Sequence, residues 1–132
     1  MLACLLATGA IAAVAQDKPC NKADEAAAAK AVDRIVSWPQ LQKTWQDYRH
    51  CDAGDVDDAF TDAVMRMLVE WKNPEALATA MDRDPAYAAF LMKHLKSPAA
   101  KDDRESVYSR AKQSCPGNLG AFCEKIAEAS KP

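Results

Sequence analysis

The cysteines constrain this chain more than any other feature of its sequence. Four of the five cysteines, Cys20, Cys51, Cys115 and Cys123, follow an apolar N-terminal stretch, and no C-x-x-C pair occurs among them. An even set of cysteines in a chain sent to an oxidising compartment is expected to pair as disulfides. The pattern therefore predicts a small protein stapled by two structural disulfides, without a metal site or a redox dithiol.

Turn residues near the C-terminus favour one of the three possible connectivities. The segment 116–118, Pro-Gly-Asn, stands between Cys115 and Cys123 and is typical of a chain reversal. We expect Cys115 to pair with Cys123, which leaves Cys20 to pair with Cys51. Pairing of Cys51 with Cys115 is the alternative that the sequence leaves open.

The stretch 1–15 has the features of a cleavable signal peptide. It is uncharged, rich in Leu, Ile and Val, and ends in the small-x-small triplet Ala-Val-Ala. It is shorter than the about 20 apolar residues of a transmembrane helix. We expect cleavage near Ala15, loss of Cys4, and export to the periplasm or beyond with no membrane anchor. The remaining chain divides into an N-terminal arm or helix at 16–36 and a helical domain at 37–132.

Hydrophobic periodicity predicts an all-α fold. Apolar residues recur at spacings of three and four, and no run of alternating β-branched residues is bounded by hairpin turns. Helix start signals stand at Ser37, Asp55, Asn73 and Asp84, and the last two precede proline. We expect a compact, irregular bundle of six to seven short helices stapled by the disulfides.

Two apolar stripes mark the predicted core. Both repeat large side chains at helical spacing, which places them on one face of a helix. The stripe of the second predicted helix consists of Trp38, Leu41, Trp45 and Tyr48, and that of the third consists of Val56, Phe60, Ala63, Val64, Met67, Leu68 and Trp71.

Charge and motif content exclude several function classes. The formal net charge is −2, and acidic and basic residues are interspersed. The chain therefore lacks the basic surface of a nucleic-acid-binding protein. It has no G-x-S-x-G, H-E-x-x-H or P-loop pattern, and its four glycines form no phosphate-binding loop. We expect no nucleic-acid partner, no cofactor and no metal, and we assign no catalytic residue.

Four polar residues are the candidates for a binding site. Asp52 and Asp55 belong to the acidic segment 52–58. A calcium-binding loop that began at Asp52 would need glycine at its sixth position and glutamate at its twelfth, but the glycine falls at the third position and the twelfth is Ala63. Asp55 is better explained as the start of a helix. His50 and His94 are the two histidines, and both are expected near helix C-termini in capping or semi-buried positions. None of the four lies in a recognisable motif.

Small size, disulfides, a helical body and the missing catalytic motifs favour a non-enzymatic protein-binding module, such as an inhibitor or immunity protein. Its expected partner is another periplasmic or secreted protein, and the sequence does not specify an oligomeric state.

Two alternatives stay open. A small cell-wall hydrolase would need convergence of two carboxylates near a helix junction, from the set Glu70, Glu75, Asp82 and Asp84. A carrier of a small apolar ligand would need an internal pocket lined by Trp, Met and Phe.

Short elements of the chain also suggest relatives. They are Trp38-x-x-Leu41, Tyr48-x-x-Cys51-Asp52-x-Gly54, Phe90-x-x-x-His94 and Cys115-Pro116. Over about Val32 to Ile126, the chain resembles a family of uncharacterised small exported all-helical bacterial proteins. The resemblance implies a helical periplasmic protein, and it transfers no activity, catalytic residue or ligand.

Overall fold

Seven α-helices and two short 3-10 turns make up the part of the chain that the structure describes. This computed structural model describes residues 18–132, so the predicted signal peptide at 1–15 lies outside the described residues. The α-helices are α1 (Lys22–Val32), α2 (Trp38–Tyr48), α3 (Gly54–Val69), α4 (Pro74–Arg83), α5 (Pro85–Leu95), α6 (Arg104–Gln113) and α7 (Gly120–Ser130), and the 3-10 turns are Arg49–Cys51 and Pro98–Ala100. The predicted all-α bundle is confirmed.

Side-chain caps start most of the helices where the sequence indicates. In α1, α2, α4 and α5, a side-chain oxygen of the N-cap residue accepts a hydrogen bond from a backbone N–H of the first turn. The four N-cap residues are, in that order, Asn21, Ser37, Asn73 and Asp84. Each bond satisfies a donor that has no partner within its helix. These short polar residues therefore fix where the helices begin.

Helix α3 begins differently from the expectation. Its N-cap is Ala53, which makes no side-chain cap, and Gly54 adopts a positive φ of 57°. Glycine tolerates this backbone conformation because it has no Cβ. Asp55 lies inside the first turn with Asp57, where a carboxylate interacts favourably with the helix dipole, and it does not act as the cap.

Helix α3 is the centre of the core. It packs against α1, α5 and α6 and against the second 3-10 turn. Its stripe is buried as predicted apart from Trp71, which is half-buried, and Phe60 and Val64 have no exposed surface. On α5, Phe90 meets Phe60 edge to face at 5.2 Å between ring centroids and meets Trp45 of α2 at 5.6 Å. The aromatic side chains of α2, α3 and α5 therefore fill one continuous core.

Helix α1 is an integral part of this bundle. Ala28 is fully buried, and Val32 and the following Ile35 are 2% and 1% exposed. The helix contacts α2 and α3. Burial of these side chains holds the segment against the core.

The end of α3 holds an unusual backbone conformation at Trp71. Its φ is +54°, and Lys72 N–H donates to the carbonyl of Met67 in the pattern of a Schellman C-cap, whose left-handed position usually holds glycine. The conformation costs of order 1–2 kcal/mol for a residue with a Cβ. The indole of Trp71 donates to the carbonyl of Ser114 at 3.0 Å and lies near the ring of Phe122. These contacts offset the strain by tying α3 to the end of α6 and to α7.

The two disulfides are the pairs that the sequence analysis favours. Cys20 is bonded to Cys51 and Cys115 is bonded to Cys123. The first bridge joins the segment before α1 to the 3-10 turn after α2, and the second closes the connection between α6 and α7. The alternative pairing of Cys51 with Cys115 is not formed.

Within residues 18–132, none of the helices is long and apolar enough to cross a membrane.

Candidate functional site

A cluster of polar side chains lies between the loop before α3 and the end of α5. We call it the His94 network. It consists of Asp52 from the loop, Asp57 and Thr61 from α3, and Lys93 and His94 from α5. The spacing of Asp57 and Thr61 puts both on one face of α3, and that face meets the C-terminal turn of α5. The network lies directly against the core, because His94 is buried among its aromatic side chains.

His94 is the centre of the network. Its side chain has no exposed surface, and its ring contacts Phe60 and Phe90. Nε2 lies 3.1 Å from Asp52 Oδ2, and Nδ1 lies 2.7 Å from Thr61 Oγ1. Because an ionised carboxylate only accepts hydrogen bonds, Nε2 carries a hydrogen and donates it to Asp52.

Lys93 brings a cation to the two carboxylates of the network. Its Nζ lies 2.9 Å from Asp52 Oδ2 and 3.1 Å from Asp57 Oδ1, and its side chain is half exposed. Burial disfavours the ionised Asp52 carboxyl, but hydrogen bonds from His94 and Lys93 outweigh burial and lower its pKa. Burial likewise opposes the charge of Lys93, and its hydrogen bonds to Asp52 and Asp57 outweigh that effect and raise its pKa.

The composition of the network invites a metal or catalytic interpretation, and its geometry opposes both. Ligand atoms of Asp52, Asp57 and His94 lie within 4.8 Å of one another. However, the Lys93 ammonium already lies between the two carboxylates, where a metal ion would have to bind. Thr61 has no exposed surface, so its hydroxyl cannot reach a substrate as a nucleophile. The network fastens the loop and α3 to α5 through buried, charge-assisted hydrogen bonds.

The second histidine, His50, belongs to a separate cluster next to the Cys20–Cys51 disulfide. Its side chain is 5% exposed, and its Nε2 lies 2.9 Å from Asp24 Oδ2 on α1. The hydrogen bond from His50 outweighs partial burial and lowers the pKa of Asp24, with a smaller contribution from Lys18. The pair joins α1 to the 3-10 turn that follows α2.

The structure brings together only two of the four candidate binding residues. Asp52 and His94 meet in the His94 network, His50 lies in the other cluster, and Asp55 is exposed on the first turn of α3. Sequence reasoning missed Thr61, although its polar side chain interrupts the buried stripe of α3 and therefore signals a buried partner. It also missed the roles of Asp24, Asp57 and Lys93, which depend on contacts between distant elements.

The carboxylates considered for a hydrolase do not converge in a protected site. Glu70, Glu75 and Asp82 are exposed, and Asp84 accepts hydrogen bonds from the N–H groups of Ala86 and Tyr87 as the cap of α5. A glycosidase needs two carboxyl groups facing one bond of the substrate. These four acids therefore give no support to a hydrolase.

The side chains considered for an apolar carrier pack against one another. Phe60, Met65 and Met67 are at most 1% exposed, and Trp45 contacts the rings of Tyr87 and Phe90. Side chains packed in this way contact one another in the core, so they give no support to a carrier.

The surface carries an open groove where α1 meets α2. Its volume is about 460 Å³, and it is lined by Ala31, Arg34, Ile35, Pro39, Gln40, Lys43 and Thr44. Beside it lies Val36, the exposed large hydrophobic residue of the described chain, with 60% of its surface accessible. We call this surface the α1–α2 groove. Its lining includes two cations and no carboxylate.

Comparison with protein-family models, with curated proteins and with solved structures finds no match for this chain.

Proposed function

We propose that this chain is an exported, non-enzymatic protein-binding module of inhibitor or immunity type, and that it binds its partner through the α1–α2 groove. In the polar clusters that could serve catalysis, both histidines are buried and hydrogen-bonded to aspartates, whereas the α1–α2 groove is open to solvent, and this contrast is the main support for the proposal. Open apolar surface next to an exposed hydrophobic side chain is typical of interaction sites. The two disulfides and the apolar leader support export to an oxidising compartment.

The charges of the groove indicate the chemistry of its partner. Among residues 18–132, the backbone N–H of Arg34 donates to the carbonyl of Ala31, but its guanidinium makes no hydrogen bond or ion pair. Lys43 pairs with Asp47, but both side chains are exposed, and such pairs contribute little stability. Carboxylates of a partner can therefore bind these cations at low cost. We infer that the partner presents a segment that combines apolar side chains with carboxylates.

Photo-crosslinking followed by a direct binding measurement tests this proposal. The full chain carries benzoylphenylalanine in place of Val36, and a control chain carries it in place of Ala99, which is exposed outside the groove. We expect a partner from the native host that crosslinks at position 36 and not at position 99. The partner is then purified and titrated calorimetrically against the unmodified chain.

Charge-reversal variants localise the binding. We expect Arg34→Glu to weaken binding of the purified partner at least about tenfold, which corresponds to about 1.4 kcal/mol. The matched control is Arg83→Glu, because Arg83 is exposed on α4 outside the groove. Binding should also weaken as salt increases. The proposal fails if position 36 yields no more product than position 99, or if both variants bind the partner equally well.

A further inference from the structure

Four side chains with metal-binding chemistry meet around the N-terminal disulfide. A carboxylate oxygen of Asp24, a ring nitrogen of His50 and the sulfur of Cys51 all lie within 4.8 Å of one another. Cys20 contributes the sulfur that is bonded to Cys51. The bond between the two sulfurs is what prevents this set from acting as four separate ligands.

The composition of this set matches the preferences of one metal ion. Zn²⁺ favours four ligands at the corners of a tetrahedron, drawn from Cys, His and Asp or Glu. At Zn–S bonds of about 2.3 Å and Zn–N or Zn–O bonds of about 2.1 Å, neighbouring ligand atoms in a tetrahedron lie about 3.3–3.8 Å apart. Nε2 of His50 and Oδ2 of Asp24 lie 2.9 Å apart, so this pair has to open by about 0.5 Å to take up that geometry. The Cys51 sulfur lies within 4.8 Å of both atoms, and the Cys20 sulfur, which is bonded to it, can join them once the bond is broken.

From this convergence we infer that reduction of the Cys20–Cys51 disulfide converts the N-terminal cluster into a zinc site with ligands Cys20, Asp24, His50 and Cys51. A dithiol reductant supplies the two electrons. Its thiols are oxidised to a disulfide while the bond between Cys20 and Cys51 breaks and each sulfur receives a proton. Binding of Zn²⁺ then releases both protons, since the thiolate is the ligand.

The surroundings of the cluster favour metal entry and retention. Cys20 is exposed, so a reductant and an ion can approach from solvent, whereas His50 and Cys51 are nearly buried and hold their positions. Lys18 is the nearby cation, and its exposed ammonium lies 3.6 Å from Asp24. An exposed pair of this length is weak, so Zn²⁺ displaces the ammonium easily.

The other polar groups of the described chain provide controls. In residues 18–132, the groups that bring three metal-binding side chains together are this cluster and the His94 network. The His94 network contains the Lys93 ammonium between its carboxylates. Among the described residues, none offers a third ligand beside the Cys115–Cys123 disulfide, so its reduction supplies only two thiolates.

Metal titration of two matched backgrounds tests the inference. The first is the full chain with Cys4, Cys115 and Cys123 replaced by serine, and the second has Cys4, Cys20 and Cys51 replaced by serine. Each is reduced with a dithiol, freed of the reductant without air, and titrated with Zn²⁺ against a chromophoric chelator. We expect the first background to bind one Zn²⁺ at least 100-fold more tightly than the second. Its complex with Co²⁺ should show the visible absorption of a tetrahedral thiolate site.

Variants of the first background identify the ligands. We expect His50→Gln and Asp24→Asn each to weaken Zn²⁺ binding more than tenfold, whereas Asp55→Asn, an exposed acid nearby, changes it less than twofold. Reoxidation to the disulfide should release the metal. Circular dichroism monitors folding throughout, because a reduced chain that has lost helix should regain it when Zn²⁺ binds. The inference is overturned if the two backgrounds bind alike, if Co²⁺ gives no tetrahedral spectrum, or if His50→Gln and Asp24→Asn bind as the control does.

Discussion

Replacement of Asp52 by asparagine removes the central charge of the His94 network with little change in shape. Oδ2 of Asp52 faces both Lys93 and His94, whereas its buried Oδ1 accepts no hydrogen bond from the described residues. An asparagine can therefore place its oxygen at the Oδ2 position and keep both acceptor contacts. The substitution isolates the contribution of the negative charge.

The expected loss follows from the two contacts. A charge-assisted hydrogen bond is about twice as strong as a neutral one, which is a difference of about 1 kcal/mol for the buried bond from His94. For the hydrogen bond from Lys93, removing the negative charge of Asp52 costs less, about 0.5 kcal/mol, because half of the lysine side chain is exposed and solvent screens the pair. The new amide group also lacks a partner on its buried side. We expect Asp52→Asn to destabilise the fold by about 2 kcal/mol.

The cost of Asp52→Asn should depend on pH, whereas the cost of a simple packing defect should not. The pKa of Asp52 is lowered from its ordinary value of 3.8 in the folded protein. Its charge therefore contributes stability above pH 3.8, and that contribution is lost as pH falls through the lower pKa of the folded state. We expect the difference between the native chain and Asp52→Asn to be largest near pH 7 and to shrink below pH 3.8.

Urea unfolding at pH 7 and at pH 3, followed by circular dichroism, measures both effects. The matched control is Asp62→Asn, because Asp62 is exposed on the same helix as Thr61. We expect the control to change the free energy of unfolding by less than about 0.5 kcal/mol. The reasoning is refuted if Asp52→Asn costs no more than the control at pH 7, or if its cost is the same at both pH values.

Three further predictions concern the rest of the fold. Phe60→Ala should lower the free energy of unfolding by about 3–5 kcal/mol in urea titrations, because Phe60 is fully buried between α3 and α5. Asp84→Ala should cost about 1 kcal/mol by the same measurement, since two N–H groups of α5 lose their cap. Replacing Cys20 and Cys51 by serine removes a bridge between residues 31 positions apart, which should cost about 3.7 kcal/mol and lower the melting temperature in calorimetry. Binding of a partner at the α1–α2 groove should survive that last change.

The features that were predictable from the sequence are those encoded locally. Helix caps are local, because Ser37, Asn73 and Asp84 each accept a hydrogen bond from a backbone N–H only two or three residues further along the chain. The type and position of these residues therefore predict where the helices begin. The pairing of Cys115 with Cys123 follows from a turn of a few residues between them. Periodicity within α2 and α3 identified the buried faces because a helix repeats its facing residues every three to four positions.

The candidate site was much less predictable, because its parts come from distant segments. Asp52 and His94 are each unremarkable in their local sequence, and only the packing of α3 against α5 brings them within 3.1 Å. The partnership of His50 with Asp24 likewise depends on how α1 docks onto the bundle. The α1–α2 groove has no sequence signal, since its shape depends on the angle between two helices.

The unequal lengths of the two disulfide loops set an order for oxidative folding. In an unfolded reduced chain, the frequency with which two thiols meet falls with about the −3/2 power of their separation. Cys115 and Cys123 are 8 positions apart and Cys20 and Cys51 are 31 apart, so the C-terminal pair meets about eightfold more often. When the complete reduced chain refolds, we therefore expect the bridge between Cys115 and Cys123 to form first and the bridge between Cys20 and Cys51 to follow. That order runs from the C-terminus towards the N-terminus, opposite to the direction in which the chain is synthesised.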